Sequence, residues 1–151
     1  MKLLERDTLK QYLLNKYPTC HQFTNDKSLR TYVMDLKNQF MKSAKPLSQI
    51  KYDDKIHIIN NALGLHSFVN KVQGSKIKGK NEIRISSLFK KSPEHFLKMI
   101  VVHELAHLKE KDHNKAFYHL CQHMQPDYHQ IELDLRLYLT QLELKGSIYS
   151  L

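Results

Sequence analysis

The sequence predicts an α+β domain: N-terminal helices, a small two- or three-stranded antiparallel sheet, then a histidine-bearing helix and further C-terminal helices. Three observations point there. Leucines recur at helical spacing in the opening third of the chain, a glycine-bearing stretch from 65 to 86 alternates with period two, and helical spacing returns from residue 92 onward. With 151 residues, 41% hydrophobic and 26% charged, the chain has the size and composition of one soluble domain with a real core. The expected organisation is a single domain over 1–151. It comprises a helical N-terminal part (1–64), a central unit (65–130) and a C-terminal helix (127–145).

Leu3, Leu4, Leu9, Leu13 and Leu14 lie at helical intervals and stop at Tyr17-Pro18, giving a first helix. Asp26 or Ser28 suits the cap of a second, with Leu29, Val33, Leu36 and Phe40 on one face and an end near Pro46. Ile50, Ile56, Ile59 and Leu63 suggest a third, closed by Gly64. "LHSFVNKVQ" (65–73) is rich in β-branched and aromatic residues, and "GSKIKGKNEIRIS" (74–86) alternates around two glycines, as hairpin-connected strands do. Ser92 suits an N-cap, with Pro93 and Glu94 in the first helical turn that follows. A further helix is expected from Asn114 to Pro126. The last opens near Pro126-Asp127, carries Ile131, Leu135, Leu139 and Leu142, and closes at Gly146.

Composition narrows the function classes. No apolar run approaches the ~18 residues of a membrane span, so a membrane partner is not expected. The N-terminus "MKLLERDTLKQYLLNKY" is amphipathic and acid-bearing, unlike a secretory signal. Cys20 and Cys121 are far apart in sequence and form no CxxC, which suits two free thiols in a reducing cytoplasm. The net charge of +9 is uneven: residues 71–98 hold eight Lys/Arg against two acids, and residues 99–151 hold five against seven. Such a basic segment attracts phosphate backbones or acidic substrates, or else forms a solvated face.

The chemistry concentrates in "VVHELAHLKEKDHNKAF" (101–117), where His103, Glu104 and His107 form H-E-x-x-H. Four residues turn a helix by about 400°, so both imidazoles leave one face about 40° apart. That spacing lets two ring nitrogens reach one Zn²⁺ at ~2.0–2.1 Å, while Glu104 reaches a water on the ion without ligating it. Ten histidines and seven glutamates in this chain give roughly 0.03 chance matches to the pattern. The flanking Met99, Ile100, Val102 and Leu105 mark a buried helix, where His and Glu need partners.

A catalytic zinc needs a third ligand, and Glu110, Asp112, His113, Asp127, Glu132 and Asp134 are candidates. His113 fits best, because it follows the polar "LKEKD" where the helix can end and stands just before Asn114. The H-E-x-x-H-x5-H spacing is that of metzincins, but Glu110 stands where that group has its turning glycine, so a metzincin is not expected. His119 and His123 form a second i, i+4 pair without an accompanying base, and a second metal site is not expected there. His21, His57, His66, His95 and His129 read as surface or capping histidines.

The stretch "VVHELAHLKEKDHNKAFYHLCQHMQPDY" resembles the YgjP-like metallopeptidase family, small zincins akin to SprT-like and minigluzincin proteins. The likeness rests on the Val-Val-His-Glu-Leu-Ala-His core, His113, Phe117 and Pro126-Asp127-Tyr128. It extends upstream through "KVQGSKIKGKNEIRIS" and covers about residues 65–130. It implies a zincin-like fold, His103, His107 and His113 as zinc ligands, and Glu104 as general base. The chain departs at Gln73-Gly74-Ser75-Lys76, where the family commonly has Trp-Gly-Ser-Cys, so a different substrate preference is expected.

The function expected from these readings is zinc-dependent hydrolysis of peptide bonds in a protein or peptide substrate. Zinc lowers the pKa of its water toward ~7 and polarises the scissile carbonyl, and Glu104 passes the proton to the leaving amine. The strand at about 82–86 is expected to offer its edge to an extended peptide, with Tyr118, Tyr128 and downstream histidines as oxyanion partners. The alternative is a nucleic-acid-binding protein with zinc at the same site, acting through the basic 71–98 segment, in some relatives combined with proteolysis near DNA.

Overall fold

The computed structural model describes residues 7–56, 64–73 and 76–145. Five helices surround a three-stranded sheet, in the chain order α1 (Asp7–Lys16), α2 (Asp26–Phe40), β1 (Leu47–Asp53), β2 (Gly64–Gln73), β3 (Lys76–Ser86), α3 (Glu94–Ala106), α4 (Lys115–Met124) and α5 (Tyr128–Lys145). A 3-10 turn, Ser87–Lys91, joins β3 to α3.

The first two helices form as their spacing predicts. In α1, Leu9 and Leu13 are buried, and the helix closes where Tyr17 N–H reaches Leu13 O at 2.7 Å before Pro18. Leu3 and Leu4 lie outside the described residues. Helix α2 begins one residue before the expected cap. Asn25 Oδ1 accepts Ser28 N–H at 2.8 Å, and Ser28 Oγ accepts Asn25 N–H, a reciprocal capping box. With the cap supplied by Asn25, the Asp26 side chain is used elsewhere. Its Oδ1 accepts the Tyr52 N–H at 2.9 Å and ties β1 to the start of α2. The helix ends at Phe40, short of Pro46, because Met41 leaves helical dihedrals and buried Lys37 turns its Nζ to Ala44 O.

The expected third helix is corrected at its start: residues 47–53 are strand β1. Leu47, Ile50 and Tyr52 are buried. Ile50 and Tyr52 are two apart, the strand period, and this outweighs the helical interval from Ile50 to Ile56. Ile59 and Leu63 lie outside the described residues.

The β2–β3 hairpin is antiparallel as expected, running from Gly64 opposite Ile85 to Gln73 opposite Lys76. Strand β1, however, joins β3 in parallel, with Ile50 opposite Ile83 and Tyr52 opposite Ile85. The sheet is therefore mixed, in the order β1-β3-β2, rather than wholly antiparallel. Residues 81–85 of β3 are thus paired on both sides and offer a peptide no edge, whereas 76–80 pair with β2 alone; β1 and β2 are the outer strands.

Ile83 and Ile85 are fully buried, as are Phe96, Leu97, Val101, Val102 and Leu105 of α3. The core thus encloses α3 on most of its surface, and Tyr17, Phe96 and Tyr138 stack in a row through it at 4.7 and 5.0 Å between ring centres. Ser92 does not cap this helix. Its Oγ donates toward Phe89 O and Pro93 O, and Pro93 occupies the cap position. Helix α4 starts near the expected Asn114, whose Oδ1 caps it by accepting Phe117 N–H at 2.8 Å. Among the described residues no helix is long and apolar enough to cross a membrane.

Candidate metal centre

His103 lies in the last turn of α3, His107 is the first residue past its end, and His113 sits in the loop two residues before α4. The loop returns tightly without a glycine. Leu108, Lys109 and Glu110 N–H groups reach back to Leu105 and Ala106 carbonyls at 2.9 to 3.1 Å. That turn brings the three imidazoles together, with ring nitrogens all within 4.8 Å of one another. Ring centres lie 4.9 to 5.0 Å apart in each pair. Phe117, fully buried on α4, makes the floor: its ring is 5.0, 4.7 and 4.8 Å from those of His103, His107 and His113.

The donor set fits a tetrahedral cation. His107 Nδ1 is 3.0 Å from the Glu110 carbonyl, which can only accept, so the proton sits on Nδ1 and the Nε2 lone pair faces outward. His107 Nε2 lies 3.1 Å from His113 Nε2. Two nitrogens at ~2.0–2.1 Å from one tetrahedral zinc stand about 3.3 Å apart, close to that spacing. Burial, then the neighbouring positive charges of His107 and His113, hold His103 down to about 4, so it stays neutral as a ligand must. Its Nδ1 lies 2.9 Å from the Tyr128 hydroxyl.

Glu104, the next residue on α3, is buried. Two of the other acids weighed as third ligands are engaged elsewhere. Asp134 is fully buried against α1, receiving Tyr12 Oη–H at 2.8 Å, Lys16 Nζ–H at 2.6 Å and Tyr17 Oη–H at 2.5 Å. Glu132 pairs with Arg136 at 3.6 Å. Glu110 contributes its carbonyl to His107. Among the described residues His103, His107 and His113 are the one group of three such side chains placed to hold a metal.

Both cysteines are free, Cys121 buried and Cys20 half-buried. His119 and His123 are exposed, and His123 meets Phe40 edge-on at 5.4 Å. His21 is buried rather than superficial: its Nε2–H donates to Phe89 O at 2.6 Å while Nδ1 accepts the Phe23 N–H at 2.9 Å. Of the two candidate oxyanion tyrosines, Tyr128 is fully buried behind His103, whereas Tyr118 is half-buried with its ring 6.3 Å from that of His113. Sequence reasoning missed two roles, Phe117 as the floor and Glu110 O as a hold on His107. Only Phe117 left a signal there, as a residue shared with the family's pattern.

The YgjP-like metallopeptidase domain matches residues 21–138, from the middle of the α1–α2 loop to the third quarter of α5. The chain belongs to the YgjP-like family. It is also 56% identical over 142 residues to a protein of Escherichia coli (strain K12) named UTP pyrophosphatase, a match covering 94% of this chain and 85% of that protein. No solved structure matches it. A metal is therefore implied by the family, and this YgjP-like chain has a three-histidine cluster fitted to one.

Proposed function

We propose that this YgjP-like protein is a metal-dependent hydrolase that splits a phosphoanhydride bond of a nucleoside triphosphate, with UTP as substrate. The observation that carries the hydrolase reading is the convergence of three imidazole nitrogens within 4.8 Å beside buried Glu104. The choice of substrate is supported by the name of the relative at 56% identity. The excess of eight Lys/Arg over two acids in residues 71–98 also suits a polyanion better than a peptide.

His103, His107 and His113 would hold the cation, and three nitrogen donors favour zinc over harder ions. When bound, it supplies positive charge at the reacting phosphate and acidifies a water. Glu104 takes the proton of that water as its oxygen bonds to phosphorus. The bridging P–O bond breaks, giving UMP and pyrophosphate, with the proton returned to the released phosphate or to solvent. Tyr118, half-buried beside His113, is the tyrosine placed to steady the developing charge.

Peptide-bond hydrolysis is the second reading, favoured by the description of the family. Against it, the strand expected to receive an extended peptide is paired along both edges. The nucleic-acid alternative finds no support in the relatives. The deciding assay compares pyrophosphate release from UTP, CTP and ATP with digestion of a peptide library, using zinc- or manganese-loaded protein. UTP turnover is expected, falling by about 10²-fold or more in Glu104→Gln at unchanged metal content. Peptide cleavage without nucleotide turnover would move the assignment to a peptidase; neither activity in loaded protein would sink the hydrolase reading.

A further inference from the structure

We propose that Tyr128 is a positioning residue of the metal centre, its buried hydroxyl accepting a hydrogen bond from His103 Nδ1–H. It fixes His103 so that its Nε2 lone pair faces His107 and His113. The inference rests on the metal reading above.

The geometry leaves one consistent arrangement. Tyr128 is fully buried at the start of α5, and its hydroxyl lies 2.9 Å from His103 Nδ1. A phenol has one proton to give, and its oxygen can also accept one. Were that proton given to His103 Nδ1, the neutral imidazole would carry its own proton on Nε2 and have no lone pair for a cation. A cation on Nε2 instead requires a proton on Nδ1, which donates to the phenolic oxygen.

The arrangement joins two helices at one ligand: α3 supplies His103 and α5 the tyrosine. It parallels the Glu110 carbonyl behind His107, so the two ligands nearest α3 are each oriented by a second hydrogen bond. It also explains why Tyr128 cannot serve as an oxyanion partner, its hydroxyl being committed behind the metal ligand.

The test is zinc affinity of tag-free protein, measured by competition with a chromophoric chelator, with melting of the metal-free protein as the control for folding. Tyr128→Phe is expected to bind zinc about 10- to 100-fold more weakly while the metal-free protein still melts cooperatively. Zinc binding by Tyr128→Phe within about twofold of wild type would overturn the inference and leave the metal centre standing, since loss of a group that orients a ligand should exceed that. A wild type that binds no zinc overturns both. Should Tyr128→Phe fail to fold, nitrogen NMR of zinc-loaded wild type decides: a protonated His103 Nδ1 supports the inference, and an unprotonated one overturns it.

Discussion

The three imidazoles differ in how much of the molecule stands behind them. His103 is half-buried in the last turn of a core helix, His107 half-buried at its end, and His113 exposed on a loop. Phe117, beneath all three, is fully buried. These placements separate binding from stability. In His113→Ala, metal content should fall to near zero while the metal-free melting transition barely moves, because exposed substitutions typically cost within about 0.5 kcal/mol. Phe117→Ala should do the opposite first. It should lower stability by about 3–5 kcal/mol through a cavity under the site, with metal affinity lost as the floor collapses. Paired metal analysis and denaturant melts check both, and a His113→Ala protein retaining one zinc per chain would move the third ligand elsewhere.

Among the elements, the contact that most affects order is the clamp between α1 and α5. Asp134, 118 residues from Lys16, is the acceptor on which Tyr12, Lys16, Tyr17 and Gln130 converge. Burial pushes its carboxyl up, but the Lys16, Tyr17 and Tyr12 hydrogen bonds more than offset this, and the net shift is below the ordinary carboxylate value. A folded pKa below the unfolded one means stability present above the unfolded value, about 3.9, and lost as pH falls through the folded value. Wild type should therefore lose stability below about pH 4, and this acid-linked part should vanish in Asp134→Ala. At neutral pH the same variant should be about 1–3 kcal/mol less stable, buried Tyr17 and the more exposed Tyr12 and Lys16 having lost their acceptor. Urea melts from pH 3 to 7 measure both effects; parallel curves for the two proteins would contradict the clamp. Long-range pairing also decides the sheet. Strand β1 reads as helix in the sequence because Ile50 and Ile56 suit either period, and its partner β3 lies more than thirty residues on.

For the whole molecule, the core is built from all five described helices together with β1 and β3, and the histidine cluster sits at one end of α3. Metal should accordingly act as a ligand on a folded protein. Chelated protein should keep its helical circular dichroism and melt cooperatively. Added zinc should raise stability only by mass action, about 2.7 kcal/mol at a hundredfold excess over Kd. Collapse of the fold on chelation would mean that the site is structural, as in zinc fingers.

The metal-binding motif was legible in the sequence because its information is local: an i, i+4 pair on a helix and a third histidine one short turn later need only backbone geometry. The start of α4 near Asn114, and the hairpin from 64 to 86, were legible for the same reason. Three features were not. The parallel pairing that closes the second edge of β3 at 81–86, the diversion of Asp134 to α1, and the placement of Tyr128 behind His103 join residues 25 to 122 positions apart. No periodicity records such contacts. They depend on which buried polar groups the packed helices bring within hydrogen-bonding reach, and that is settled only when the core closes.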